Sequence, residues 1–182
     1  MSAIRRLKIA ISADARIALR FRAEPFDGLS RRRLAREVLR LCVSSDAFLA
    51  LLCYRTRVAM RELRIPIVSP LLHRASMVIA QVSIGEPVII EPGVYLPHGS
   101  IVVDGFTTIA GDAVLFPFTT IGLVAGEFQG PTIGRGVHVG TGAKVLGPIT
   151  IGDGVRIGAN AVVLNDLPAE VTAVGVPARV VR

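Results

Sequence analysis

Between residues 84 and 163 an aliphatic side chain returns every six positions. Ile84, Ile90 and Leu96 open the series. After a slip of one residue come Val103, Ile109, Leu115 and Ile121, and then Ile133, Val139, Val145, Ile151, Ile157 and Val163. Four places after these stand small or β-branched residues: Val88, Val94, Ser100, Thr107, Ala113, Thr119, Val137, Ala143, Val155 and Ala161. An α-helix, with its period of 3.6, cannot hold residues six apart on one face. A parallel β-helix can. Each hexapeptide is then a short strand and a corner, and three of them close one triangular coil. The aliphatic points into the prism, and the residue four places on is small because the corner crowds it. Stacked coils pair their backbones along the axis. The expected fold class is mainly β.

The ladder breaks twice. The first break is the one-residue slip at His98–Ser100, inside "GVYLPHGSIVV". The second is "LVAGEFQGPT", where Glu127 occupies a place due to an inward aliphatic. A break in a packed repeat costs stability, so it marks a loop with a task. The first break carries one of the chain's three histidines, between Pro97 and Gly99. His138 reads as an outward, solvent-facing residue of the coil, and His73 as a surface or packing histidine on a helix. A zinc site would need three converging histidines. Two lie in the coil and one outside it, so no metal is expected.

The first 80 residues read as a helical segment and residues 81–182 as the β-helix with a C-terminal tail. "SRRRLAREVLRL" places Ser30 at an N-cap and Leu34, Val38 and Leu41 at helical spacing. "SSDAFLALLCYRTRVAMREL" continues that pattern until Pro66 stops it, and "PLLHRASMVIA" forms a further short helix. No individual helix is assigned before residue 30. Residues 1–74 carry a net charge of +10 and residues 75–182 one of −3, so the basic excess belongs to the helices alone. Such asymmetry points to an anionic partner. Nucleic acid is not expected, because no recognised motif is present and aromatics for stacking are few. Cys42 and Cys53 read as small buried hydrophobes. The N-terminus lacks the apolar core of a signal peptide, and no uncharged apolar run reaches the length of a membrane span. A cytoplasmic protein is expected.

The stretches "GVYLPHGSIVV" and "VHVGTGAKVLGPITIGDGVRIGANAVVLNDLPAEVTAVGVPARVV" resemble the hexapeptide-repeat acyltransferases, and most closely the serine O-acetyltransferases. The resemblance implies a left-handed coil and acetyl-CoA as co-substrate. It makes His98 the general base that takes a proton from an acceptor hydroxyl, a role suited to an imidazole with an ordinary pKa near ~6.5. Backbone N–H groups would hold the oxyanion, with Gly122, at the corner before the second break, as the candidate donor. The small residues Thr141, Gly142 and Ala143 would leave room for the pantetheine arm. Arg156, Gly158 and Ala159 match positions along the same groove, and Arg179 is placed for a CoA phosphate.

Two positions depart from that family's pattern. Its enzymes carry an aspartate fifteen residues before the histidine, where this chain has Ser83. They carry a loop histidine where this chain has Gly130. The reaction expected is acetyl transfer to a hydroxyl of L-serine or a similar small acceptor, and the two departures push the acceptor toward a saccharide. The alternatives are a sugar or saccharide intermediate of surface-polysaccharide synthesis as acceptor, or an inactive β-helix that serves as a scaffold. The resemblance also implies a homotrimer or a dimer of trimers. The basic helices either pack trimers together or make peripheral contact with an anionic membrane.

Overall fold

A computed structural model describes residues 1–65 and 67–181. The helix stop assigned to Pro66 lies outside the described residues. Four helices precede the strands: α1 (Ala3–Phe21), α2 (Arg31–Ser44), α3 (Asp46–Glu62) and α4 (Val68–Ala80). Ser2, Ser30 and Ser45 cap the first three, each hydroxyl accepting from a backbone N–H three residues on. The helix α1 is the element not assigned from the sequence. Its inner face is made of Ala10, Asp14, Ile17 and Ala18, and the aspartate interrupts the apolar spacing by which such a helix is recognised.

Short strands form three parallel faces. The first face stacks β1 (Val82–Ile84), β3 (Ile101–Val103), β6 (Thr120–Gly122), β9 (Lys144–Leu146) and β12 (Val162–Val163). The second stacks β2 (Ile89–Ile90), β4 (Phe106–Ile109), β7 (Gln129–Ile133) and β10 (Thr150–Ile151). The third stacks β5 (Val114–Leu115), β8 (His138–Val139), β11 (Arg156–Ile157) and β13 (Thr172–Gly175), and β14 (Ala178–Val180) closes it antiparallel to β13. The aliphatics of the ladder are in register from coil to coil. Val103, Ile121, Val145 and Val163 line one face, and Ile90, Ile109, Ile133 and Ile151 the next. All thirteen ladder aliphatics are buried and join one core. Burying a side chain of this size contributes roughly 1.5–3 kcal/mol, so the ladder is the main source of cohesion in the coil.

Ser100 is the exception among the small positions. It is half-buried, sits at φ 59° and belongs to a corner, and Ile101 takes the buried place instead. The one-residue slip is thus an inserted corner residue. The second break forms a loop over residues 123–128 in which Glu127 and Phe128 are exposed.

A buried ion pair fastens the helices to the first coil. Arg55 of α3 donates to both carboxylate oxygens of Asp14 of α1, at 2.7 and 3.0 Å. It also donates to the carbonyls of Ile90 and Glu91. Asp14 accepts in addition from the backbone N–H groups of Gly93 and Val94, at 2.8 and 3.1 Å. All three guanidinium nitrogens and both carboxylate oxygens of this buried pair are engaged, which a charge taken out of water requires.

Candidate active site

The corners between the third and first faces form one edge of the prism, and His98 stands on it. Four residues in left-handed or glycine conformations stack there with Gln81 above them: Ser100 (φ 59°), Phe118 (φ 63°), Gly142 (φ 74°) and Asn160 (φ 57°). Backbone bonds join the turns of this edge. Ser100 N–H donates to Ala80 O, Phe118 N–H to Ser100 O, Gly142 N–H to Pro117 O and Asn160 N–H to Thr141 O. Gly99 is required by that stacking, since a Cβ there would overlap the carbonyl oxygen of Ala80.

His98 is exposed at the wall of a recess of 460 Å³ between this edge and the helices. Asp46, Val78, Ile79, Ala80 and Gln81 form the helical side, and Gly99, Ser100, Pro117 and Phe118 the side of the coil. The Ser100 hydroxyl donates to Gln81 Oε1 at 2.9 Å, which ties the corner to the end of α4. Asp46 is held at the first turn of α3, where one carboxylate oxygen accepts from Ala47 N–H at 2.8 Å. The recess therefore combines an imidazole, a carboxylate, an amide and a hydroxyl with an apolar rim of Val78, Ile79 and Phe118. A larger recess of 710 Å³ lies between α1, α3 and residues 86–92, and His98 is not part of it.

Of the residues singled out from the sequence, Thr141, Gly142, Gly158 and Ala159 lie on the His98 edge, on the coils beyond Phe118. Gly140 and Gly158 have backbone atoms of the next coil or Val174 where a Cβ would stand, at 2.6 and 2.7 Å. That part of the edge is consequently a low, side-chain-poor track, which suits a long flexible arm laid against backbone. Ala143 is buried behind it. Arg156 is exposed on β11, and Arg179 is exposed on β14 of the tail hairpin.

Ser83 and Gly122 do not line the recess. Ser83 pairs with Val102 on the first face, half-exposed. Gly122 ends β6 at the corner between the first and second faces, opposite Leu146, and its carbonyl accepts from Gly147 N–H. It belongs to a different edge of the prism from His98. Gly130 is buried in β7, and a Cβ there would overlap the Thr107 hydroxyl. That position has no room for a histidine.

The other histidines are structural. Nδ1 of His73 lies 2.9 Å from an Arg57 guanidinium nitrogen, and burial and that charge lower its pKa. His138 points outward from the coil but is not open to solvent as expected. Its ring packs edge-on against Phe21 of α1, and burial lowers its pKa too, with Arg156 adding to the effect. Cys42 is half-buried and Cys53 buried, and burial pushes both thiols up. Among the described residues, no group of three acidic, cysteine or histidine side chains is placed to hold a metal ion, and no helix is long and apolar enough to cross a membrane.

Asp46 and Gln81 are the site residues that sequence reasoning missed. Neither belongs to the repeat, and only the folding of the helices onto the coil brings them to His98.

Known proteins share this fold. Residues 130–165 match the bacterial transferase hexapeptide family of six repeats. The serine acetyltransferase of Synechococcus elongatus is 39% identical over 151 residues, covering 81% of this chain and 62% of that protein. The serine acetyltransferase of Helicobacter pylori strain J99 is 45% identical over 136 residues, covering 72% of this chain and 79% of its own length. The chain thus spans a little under two thirds of the cyanobacterial relative and most of the other. A solved serine acetyltransferase in complex with CoA superposes with a TM-score of 0.77 at 30% identity, over 94% of this chain and 68% of that one. The soybean serine acetyltransferase complexed with serine gives 0.81 at 29% identity, over 97% and 70%. With its parallel β-helix, its helical N-terminal segment and a histidine at the recess between them, the chain belongs to the serine acetyltransferase family.

Proposed function

We propose that the protein is an acetyl-CoA-dependent O-acetyltransferase that acetylates L-serine or a similarly small hydroxyl compound. The observation that carries this reading is the shared edge. His98 stands beside the acceptor-sized recess, and the low track through Thr141, Gly142, Gly158 and Ala159 continues from it along the same corner. Acetyl-CoA supplies the activated thioester. A CoA arm fits a track on which Gly142 and Gly158 raise no side chain. His98 is the group in the recess that can take the acceptor's hydroxyl proton. Asp46 provides the carboxylate that Ser83 does not, and it is available to an acceptor's ammonium group or to the imidazole. Arg156 and Arg179 remain candidates for the CoA phosphates.

The assembled form we infer is a homotrimer, alone or paired as a dimer of trimers. Val102, Phe106 and Phe128 are exposed near the corner of the first and second faces, and a second copy would cover them. In a cyclic arrangement each copy meets its neighbour with a different edge, so the Gly122 corner of one could approach the His98 edge of the next and lend its backbone N–H to the oxyanion. The cytoplasm, as the compartment of acetyl-CoA metabolism, is the location we assign.

A saccharide hydroxyl is the second reading. Its support is Gly130, which stands where the family's enzymes carry a loop histidine and where a histidine does not fit.

Thiol release from acetyl-CoA, with and without L-serine, tests the proposal, with His98→Ala and Asp46→Asn alongside. Serine-dependent release, abolished by His98→Ala and weakened in its serine KM by Asp46→Asn, is the expected result. Release with sugar acceptors but not with serine selects the second reading. Binding of CoA, seen as a raised Tm, without turnover on any acceptor would leave only a scaffold.

A further inference from the structure

The helix α2 has two faces, and the fold uses one. Leu34, Val38 and Leu41 pack inward against α1 and α3. At 3.6 residues per turn, Arg32, Arg36, Leu39 and Val43 form a second stripe on the opposite side. Leu39 is 68% exposed and Val43 85%. A surface helix with one buried face should be polar on its other side. This one is instead basic at its start and aliphatic at its end.

Its charge is also unbalanced. The helix holds Arg31, Arg32, Arg33, Arg36 and Arg40 against a single acid, Glu37. Arg40 pairs with Glu37 and Glu24. Among the described residues, none of Arg31, Arg32, Arg33 and Arg36 pairs with a carboxylate.

We propose that this outer stripe of α2 seats the protein on an anionic phospholipid bilayer. Headgroup phosphates match Arg32 and Arg36 of the stripe, with Arg31 and Arg33 flanking it at the start of the helix, and the acyl boundary takes Leu39 and Val43. Arginine stems can lie along the apolar surface while their heads stay at the phosphates. A two-fold contact of the stripe with itself would set Arg32 and Arg36 against the same arginines if parallel, or against Leu39 and Val43 if antiparallel, in either case burying charge with no carboxylate of the stripe to pair it, which disfavours a second copy as the occupant. A nucleic acid would answer the charge but not the aliphatics, and the stripe offers no aromatic for a base to stack on. Val43 lies three residues before Asp46, which lines the His98 recess. Docking through α2 therefore sets the mouth of the recess near the lipid surface, whatever acceptor it takes.

Co-sedimentation of the full chain with vesicles tests this. One set is phosphatidylcholine alone, and the other contains about 30% phosphatidylglycerol, a composition chosen to mimic an anionic leaflet. Binding to the anionic set alone, lost in high salt, is expected. At about fivefold in partition per arginine near such a surface, Arg32→Gln with Arg36→Gln should weaken binding about 25-fold. Leu39→Ser with Val43→Ser should weaken it too, without change in salt dependence. Both pairs face away from the core, so an unchanged Tm confirms that folding is intact. No binding to anionic vesicles at low salt, or binding indifferent to both pairs of substitutions, overturns the proposal. So does a smaller oligomer by light scattering for Leu39→Ser with Val43→Ser in a protein that ignores lipid, since the stripe is then a contact between chains.

Discussion

Asp14→Ala should be among the most destabilising single changes outside the coil. Asp14 is 2% exposed and Arg55 6%. The substitution removes the carboxylate and leaves three things behind it: a buried guanidinium without its counter-charge, and the N–H groups of Gly93 and Val94 without an acceptor. Breaking a buried pair by removing one partner costs about 3–5 kcal/mol. Each orphaned buried amide would add about 1–3 kcal/mol, less whatever water entering the vacated space restores. With water restoring most of the two amide contributions, a net loss of about 5 kcal/mol follows, or roughly 10–20 °C in Tm for a chain of this size. Urea denaturation followed by circular dichroism measures it, because α1, α3 and the first coil all lose their shared anchor. The companion is Asp14→Leu with Arg55→Met. Replacing both charges by apolar groups of similar volume should recover most of the loss. Gly93 and Val94 open the segment that runs to His98, so kcat of Asp14→Ala should also fall at temperatures well below its Tm. A loss under about 1 kcal/mol for Asp14→Ala would show that the pair does not clamp the helices to the coil, and the reasoning would be wrong.

Gly99→Ala forces a methyl group onto the Ala80 carbonyl that receives Ser100 N–H. It should cost about 1–3 kcal/mol by overpacking and lower kcat by displacing the adjacent His98, read by thermal unfolding and steady-state kinetics. Gly142→Ala puts a Cβ at φ 74° and into Asn160 Oδ1 on the low track, so KM for acetyl-CoA should rise more than kcat falls. Stability should depend on pH through His73 and His138, whose native pKa values lie below the ordinary 6.5. In that case the unfolded chain binds protons first on acidification. The contribution is fully present above 6.5 and is lost as pH falls from there through the lower native values. Urea midpoints across this range should decline on the acid side, and His73→Gln should flatten the decline.

The interior of the coil was readable from the sequence because each inward position repeats one steric problem. Six-residue spacing identified the thirteen buried aliphatics, and Ser100 departed from its series for a reason already visible as the slip. What the spacing does not state is which edge of the prism a given corner occupies. That follows from counting corners in threes. By this count His98, Phe118, Gly142 and Asn160 share one edge, whereas Gly122 falls on another. The order of corners thus separates Gly122 from His98 within one chain, and only a second copy could bring the two edges together.

Asp46 was hidden for a different reason. A carboxylate at the first turn of a helix is fully explained by the helix itself, through its favourable interaction with the N-terminal dipole, and nothing local marks it as part of a site. Its place opposite His98 depends on how α3 and α4 settle on the coil. That docking rests on Arg55, Arg57 and Tyr54 reaching backbone carbonyls and amides of the first turns. Those contacts join residues remote in sequence and follow no period. The His98 recess thus lies where the periodic half of the chain meets the aperiodic half. For the same reason His98 could be singled out from a break in the repeat, while Asp46 and Gln81, which share its recess, come from the helices that cover the coil.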